Sequence, residues 1–216
     1  MTTAHMPRDH GALMDSVYRG QRHIYDATRK YFLFGRDRLI SDLACQTGQT
    51  VLELACGTGR NLRAIDRKWP GCRLFGLDIS SEMLKSAEAR LHGKAMLRLG
   101  DATGFDPVAL FGEQQFDRIV LSYCLSMIPE WQGALRQALD LLAPGGSLHV
   151  VDFGEARGLP RLARMALLQW LSSFHVNPRN SLPVVATSLA AKRRWKVRTR
   201  SGPLAYYSLI RIERKG

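Results

Sequence analysis

The sequence predicts an α/β domain built on a doubly wound, mostly parallel sheet, and three observations lead there. From Gln49 onward, short apolar runs of strand length alternate with amphipathic stretches of helical length, the pattern of successive strand-helix-strand units. Glycine and proline fall at the joints between them. The right-handed crossovers such units adopt then wind the helices onto both faces of one sheet. With 216 residues, 45% of them apolar and 23% charged, the chain can bury a sizeable core, which excludes disordered and collagen-like classes.

Five strands are expected near 50–54, 73–77, 95–99, 116–122 and 146–152, with helices near 60–69, 81–92 and 132–142 and a short one near 107–111. Ser80 or Ser81 can cap the second helix, because a serine hydroxyl accepts from a free N–H of the first turn. Pro144-Gly145-Gly146 should stop the last helix and turn the chain into the fifth strand. Ahead of this core, residues 11–44 read as one or two helices. A helical register sets Tyr18, Tyr25 and Phe32 on one stripe and Arg22, Arg29 and Arg36 on another. Behind it, 159–174 carries apolar residues at 159, 162, 163, 166, 167, 170, 171 and 174 with Arg161 and Arg164 opposite, an amphipathic helix expected to turn Trp170 and Phe174 toward the sheet. A short helix over 181–192 and an antiparallel hairpin over 194–214, broken by Ser201-Gly202-Pro203, complete a seven-stranded sheet. Residues 1–48 are thus expected as a helical cap on a single globular unit spanning 49–216.

The net charge of +12 is unevenly placed. Residues 1–156 hold 18 basic and 18 acidic residues, whereas 157–216 hold the other 13 basic residues and one acid, Glu213. Such asymmetry suits an anionic partner, either nucleic acid or a membrane surface, unless it is only a solvated face. No run approaches the ~18 apolar residues that cross a bilayer, and Met1 to His10 lacks the apolar centre of a secretion signal, so a cytosolic protein is expected. Cys45, Cys56, Cys72 and Cys124 form no Cys-x-x-Cys pair and read as reduced thiols, with no metal expected.

The chemical signal starts at Val51-Leu52-Glu53-Leu54-Ala55-Cys56-Gly57-Thr58-Gly59-Arg60-Asn61, a strand running into a glycine turn and then a helix. Glycines there let the backbone approach a nucleotide-type ligand. Position 62 is Leu, so the third glycine of a dinucleotide fingerprint is missing, and Glu53 ends the strand. A carboxylate repels a pyrophosphate but attracts the amino and sulfonium groups of S-adenosylmethionine. Asp78, in Leu77-Asp78-Ile79-Ser80, ends the second strand about 20 residues on, the offset at which a carboxylate meets a ribose diol. Asp101, in Gly100-Asp101-Ala102, ends the third. Each acid alone could be a capping or loop residue; three together, at the carboxyl ends of neighbouring strands, face the crevice where open α/β sheets bind ligands.

Across roughly residues 49–153 these motifs, with Leu142-Ala143-Pro144-Gly145-Gly146, resemble the class I S-adenosylmethionine-dependent methyltransferases, whose domain is Rossmann-like. The resemblance implies that Gly57 and Gly59 line the methionine part of the donor, Glu53 orients its amino group, Asp78 binds the ribose hydroxyls, Ile79 flanks the adenine and Asp101 contacts its amino group. It also implies that Thr58, Asn61, Met83, Ala102 and Ser122 complete the donor pocket. After strand four stands Ser122-Tyr123-Cys124-Leu125 and not the Asn/Asp-Pro-Pro-Tyr/Phe of nucleic-acid amino-methyltransferases, so no nucleic-acid substrate is expected. A nucleic-acid-binding module on this fold would leave Glu53, Asp78 and Asp101 without a purpose.

The flanks resemble something narrower. Tyr18-Arg19-x-Gln21-Arg22-x-Ile24-Tyr25-Asp26-x-Thr28-Arg29-Lys30-Tyr31-x-x-x-Gly35-Arg36-Asp37, with Phe174-His175-Val176-Asn177-Pro178-Arg179, is similar to the betaine-lipid N-methyltransferases (BtaB), which convert diacylglyceryl-homoserine to its trimethylated form. Quinone and bacterial phospholipid methyltransferases share a Tyr-Asp helix of this sort and remain the alternatives. An amine must lose its proton before it attacks, to water or to a base, for which Tyr123 and His175 are the candidates and Tyr25 a further catalytic candidate. Tyr18, Tyr25, Tyr31 and Tyr123 either offer aromatic faces to a methylated nitrogen or simply pack the core. Arg29, Lys30 and Arg36 are candidates to hold a donor or acceptor carboxylate. The expected partners are a lipid headgroup and, through the basic carboxyl-terminal region, the anionic cytoplasmic face of a membrane.

Overall fold

The computed structural model describes residues 33–216. Helix α1 (Arg36–Asp42) precedes strand β1 (Thr50–Leu54), after which helices and strands alternate: α2 (Arg60–Lys68), β2 (Arg73–Asp78), α3 (Ser81–Leu91), β3 (Ala95–Leu99), α4 (Pro107–Phe111), β4 (Phe116–Ser122), α5 (Trp131–Asp140) and β5 (Leu142–Phe153). Helices α6 (Arg161–Ser172) and α7 (Leu182–Lys192) then lead to β6 (Lys196–Ser201), a 3-10 turn (Pro203–Ala205) and β7 (Tyr207–Glu213). The sheet order is β3-β2-β1-β4-β5-β7-β6. Strands β1 to β5 pair in parallel, while β7 runs antiparallel to both β5 and β6. This is the expected fold, with its parallel winding and closing hairpin.

Successive residues of the central strands, buried almost throughout, alternate between the two faces of the sheet. On one face Leu52, Ile119, Leu148 and Val150 pack against Ala134, Leu135 and Ala138 of α5 and Ala186 and Ala190 of α7. On the other, Val51, Val120 and Val151 meet Leu39 and Ile40 of α1, Leu62 and Ile65 of α2 and Ala87 and Leu91 of α3. Helix α1 is tied down by the Arg118 Nε donating to the Leu43 carbonyl at 2.7 Å and the Trp69 indole to the Ile40 carbonyl at 2.8 Å.

Two elements depart from expectation. Pro144-Gly145-Gly146 does not precede the fifth strand but lies inside it, because β5 already pairs at Leu142 with Phe116 and resumes at Ser147 with Arg118 across a register shift. Helix α6 is the second. Of its apolar stripe only Leu171 is buried, while Leu162 is 80% and Met165 56% exposed and Arg164 is half-buried. No helix among the described residues is long and apolar enough to cross a membrane.

Candidate active site

The carboxyl ends of β1 to β5 converge on one crevice, built first by the turn after β1. Ala55, Gly57 and Gly59 all take the left-handed conformation, with φ of 53°, 54° and 69°. The two glycines serve different ends. A Cβ on Gly57 would meet nothing within 4 Å, so this position opens on the crevice, whereas one on Gly59 would stand 2.8 Å from Leu91, so Gly59 lets α2 and α3 close together. Asp78 braces the turn from the next strand: its Oδ2 accepts from the Gly57 N–H at 2.7 Å and its Oδ1 from the Ser80 N–H at 2.9 Å. The Ser80 hydroxyl in turn caps α3 by accepting from the Met83 N–H at 3.3 Å. Thr58 is fixed by Arg90, whose guanidinium donates to its carbonyl at 2.8 Å and to its hydroxyl.

Glu53 is 1% exposed. Asn61 donates to its Oε1 at 2.6 Å, and Oε2 has no hydrogen-bond partner among the described residues. Burial pushes the carboxyl up to about 8, and Asp78 adds to the rise, while Asn61 and the Arg36 guanidinium oppose it. On the neighbouring strand the Ser122 Oγ is likewise buried without a partner among the described residues. Buried polar atoms left open are rare in folded chains, and two at adjacent strand ends mark a place prepared for a polar ligand. Asp101 accepts from the Thr103 N–H and hydroxyl, both at 2.8 Å, beside the buried Ala102. Ile79 and Met83 form an apolar cluster with Met127 and Phe174, suited to the face of a flat ring.

Tyr123 lies at the back of the crevice in a left-handed conformation with φ 54°, 1% exposed, and its hydroxyl donates to the Phe34 carbonyl. Burial, with Asp152 nearby, raises that phenol far above its usual range. A hydroxyl so held is a poor proton acceptor, which counts against the expectation of Tyr123 as a base. His175 is exposed in the turn that ends α6. Arg36, at the start of α1, places its charge toward Glu53 and Tyr123. Tyr18, Tyr25, Arg29, Lys30 and Tyr31 lie outside the described residues.

Known proteins similar to this chain give its family. A family profile described as a methyltransferase domain matches residues 51–146. The ubiquinone/menaquinone biosynthesis C-methyltransferase UbiE of Paracoccus denitrificans is 32% identical over 182 residues, covering 79% of this chain and 69% of the relative. The chain belongs to the class I S-adenosylmethionine-dependent methyltransferases. A demethylmenaquinone methyltransferase of Mycobacterium tuberculosis is also 32% identical, over 73% of this chain and 70% of the relative. Among solved structures, the plantazolicin methyltransferase BpumL with bound S-adenosylhomocysteine superposes with a TM-score of 0.70 at 16% identity, each chain covered to 96%. A Haemonchus contortus phosphoethanolamine N-methyltransferase with the same bound product gives 0.74 at 15% identity, over 98% of this chain and 61% of that one.

S-adenosylmethionine is the methyl donor of this methyltransferase, and the residues present fit it: an open buried carboxylate oxygen for a cation, an open glycine for close backbone approach, and an apolar cluster for the adenine. Sequence reasoning missed three supports of the site. Asp152, fully buried at the end of β5 and raised by that burial, accepts from the Ser126 N–H at 3.0 Å and holds the loop after β4. Arg179 donates to the Leu125 carbonyl at 3.1 Å and the Ile128 carbonyl at 2.9 Å, clasping the same loop, and Arg90 fixes the glycine turn. Asp152 left a signal, an acid closing an apolar strand as Glu53 and Asp78 do, and Arg179 stood in the Phe174 to Arg179 segment without a role of its own.

Proposed function

We propose that the methyl acceptor is a ring or amine carried by a membrane lipid, and that the first candidate is the ring of a demethylated quinone in its reduced form. The observation that supports it is the relationship to quinone methyltransferases at 32% identity over about three quarters of the chain. The donor supplies a methyl group on sulfonium, which the acceptor takes by in-line displacement; the chain's task is alignment and exclusion of water. Glu53, ionised, would hold the donor's ammonium, Asp78 the ribose hydroxyls and Asp101 the adenine amino group, with Ile79 and Met83 against the ring. Either acceptor must lose a proton to become nucleophilic, and with Tyr123 committed to Phe34, His175 or water at the rim is left to take it.

A second reading is the successive N-methylation of diacylglyceryl-homoserine. It is supported by Phe174 to Arg179, which carry the betaine-lipid resemblance and fold onto the loop after β4, the Asn177 N–H donating to the Ser126 carbonyl at 2.8 Å. Purified chain should be incubated with labelled donor and vesicles carrying a demethylated quinol, diacylglyceryl-homoserine or phosphatidylethanolamine. Label on a ring carbon supports the first reading and label on homoserine nitrogen replaces it with the second. No transfer to any lipid removes the lipid-borne acceptor.

A further inference from the structure

Helix α6 follows the top of β5 and runs across the carboxyl edge of the sheet, its end reaching the Ile79, Met83 and Met127 cluster through Phe174. Its inward side is made by Leu167, Trp170 and Leu171, with the half-buried Arg164 beside them. The outward side consists of Leu162, Met165, Ala166 and Gln169, all exposed and spaced three or four apart, so they share one face. Three of these four are apolar, the reverse of what a helix on a soluble surface presents.

The neighbouring turn adds to this face. The Leu204 carbonyl accepts from the Gly158 N–H at 3.1 Å, three residues before α6 begins, and Leu204 is 54% exposed. Leu204 and Ala205 both sit at positive φ, 55° and 53°, a conformation non-glycine residues avoid, and it is held here with a leucine pointing to solvent. Near these apolar side chains along the chain stand Arg157 and Arg161, at the start of α6, and Arg200, just before the 203–205 turn, against a single acid, Glu155, which is engaged by Arg157. Arg161 and Arg200 make no ion pair among the described residues.

We propose that the outward face of α6 and the 203–205 turn form the surface that sets the crevice against an anionic phospholipid leaflet, the leucines and Met165 entering the headgroup region and the arginines meeting lipid phosphates. This rests on the reading that the acceptor is held in a membrane. A covering by lipid fits both observations, because apolar side chains ringed by cations match the layered chemistry of a leaflet surface. It also fits position, since this face adjoins the end of the sheet that holds the donor crevice. Lys192, Arg193, Arg194 and Lys196, the densest basic run, lie at the opposite end, where β6 begins alongside the start of β5, and Arg193 is already engaged by Asp140.

The test is cosedimentation of the full chain, without acceptor, with vesicles of phosphatidylcholine alone or mixed with phosphatidylglycerol, run beside titration of S-adenosylhomocysteine. Wild type should prefer the anionic vesicles. Leu162→Glu with Met165→Glu should lower partitioning at least tenfold and leave product affinity within twofold, which also reports that the variant is folded. Lys192→Glu with Arg194→Glu and Lys196→Glu should change partitioning less than threefold. Unaltered partitioning of the α6 variant overturns the proposal. So does loss of a wild-type dimer by that variant with vesicle binding retained, which would make the face a contact between two copies. Vesicle binding is read without any acceptor, so its failure is separate from failure to methylate lipid.

Discussion

Near neutral pH the Glu53 carboxyl is divided between its two forms, because burial raises it to about 8. Only the ionised form attracts an ammonium group, so donor binding at pH 7 should release a proton. Affinity for S-adenosylmethionine should rise by up to tenfold per pH unit below about 8 and fall again above it, where the donor's own α-amino group, with a pKa of ~7.7 to 8.0, loses its proton, and Glu53→Gln should lack the rising limb. Calorimetry between pH 6 and 9 reads both. For the empty fold, a carboxyl raised from 4.5 to about 8 gives stability that is fully present below 4.5 and lost as pH climbs through 8. Asp78→Ala should cost donor binding ~1.5 to 3 kcal/mol, the value of hydrogen bonds to a charged group. It should also lower the melting temperature, since the Gly57 and Ser80 N–H groups lose their acceptors, and Asp78→Asn, with one acceptor oxygen in place of two, should restore only part of that. Glu53, Asp78 and Asp101 were legible in the sequence because each is an acid closing an apolar run. Arg90 and Arg179 were not, since a guanidinium's carbonyl partners 32 to 54 residues away leave no local pattern.

Among the elements, the parallel strands and their helices follow from periodicity because the apolar face of each is covered by the same chain, the edge strand β3 less than the others. That reasoning fails at α6, where the period reports an apolar stripe but says nothing of its partner, and at Pro144-Gly145-Gly146, where strand pairing begins before the breaker residues. The loop after β4 is held by Asp152 of β5 and by Arg179 in the connection between α6 and α7, and it should loosen when either is removed. Asp152→Ala leaves the Ser126 N–H buried and unpaired and should destabilise the fold by about 1 to 3 kcal/mol in denaturant unfolding, with Asp152→Asn milder. Gly57→Ala should cost ~1 to 2 kcal/mol for its left-handed backbone and weaken the donor, whereas Gly59→Ala should destabilise more, because it adds to the same strain a methyl group pushed into a packed helix pair. Equal effects of the two on product titration would contradict this division.

For the molecule as a whole, the excess of positive charge in the last 60 residues is spread over both ends of the sheet and along one rim. The rim is β6, which among the described residues pairs on one side only, with β7. Lys196, Arg198 and Arg200 alternate along it on one face, and Arg198 stands directly opposite Arg211. Like charges facing each other across a ladder weaken that pair of strands. The same repulsion makes the open rim a poor template for a strand from another molecule, which would have to bring its own backbone beside three cations. The half-paired border should therefore resist growing into ribbons at high concentration. Replacing the three by threonine should raise the melting temperature slightly and, in sedimentation velocity at rising concentration, convert a single species into a ladder of larger ones.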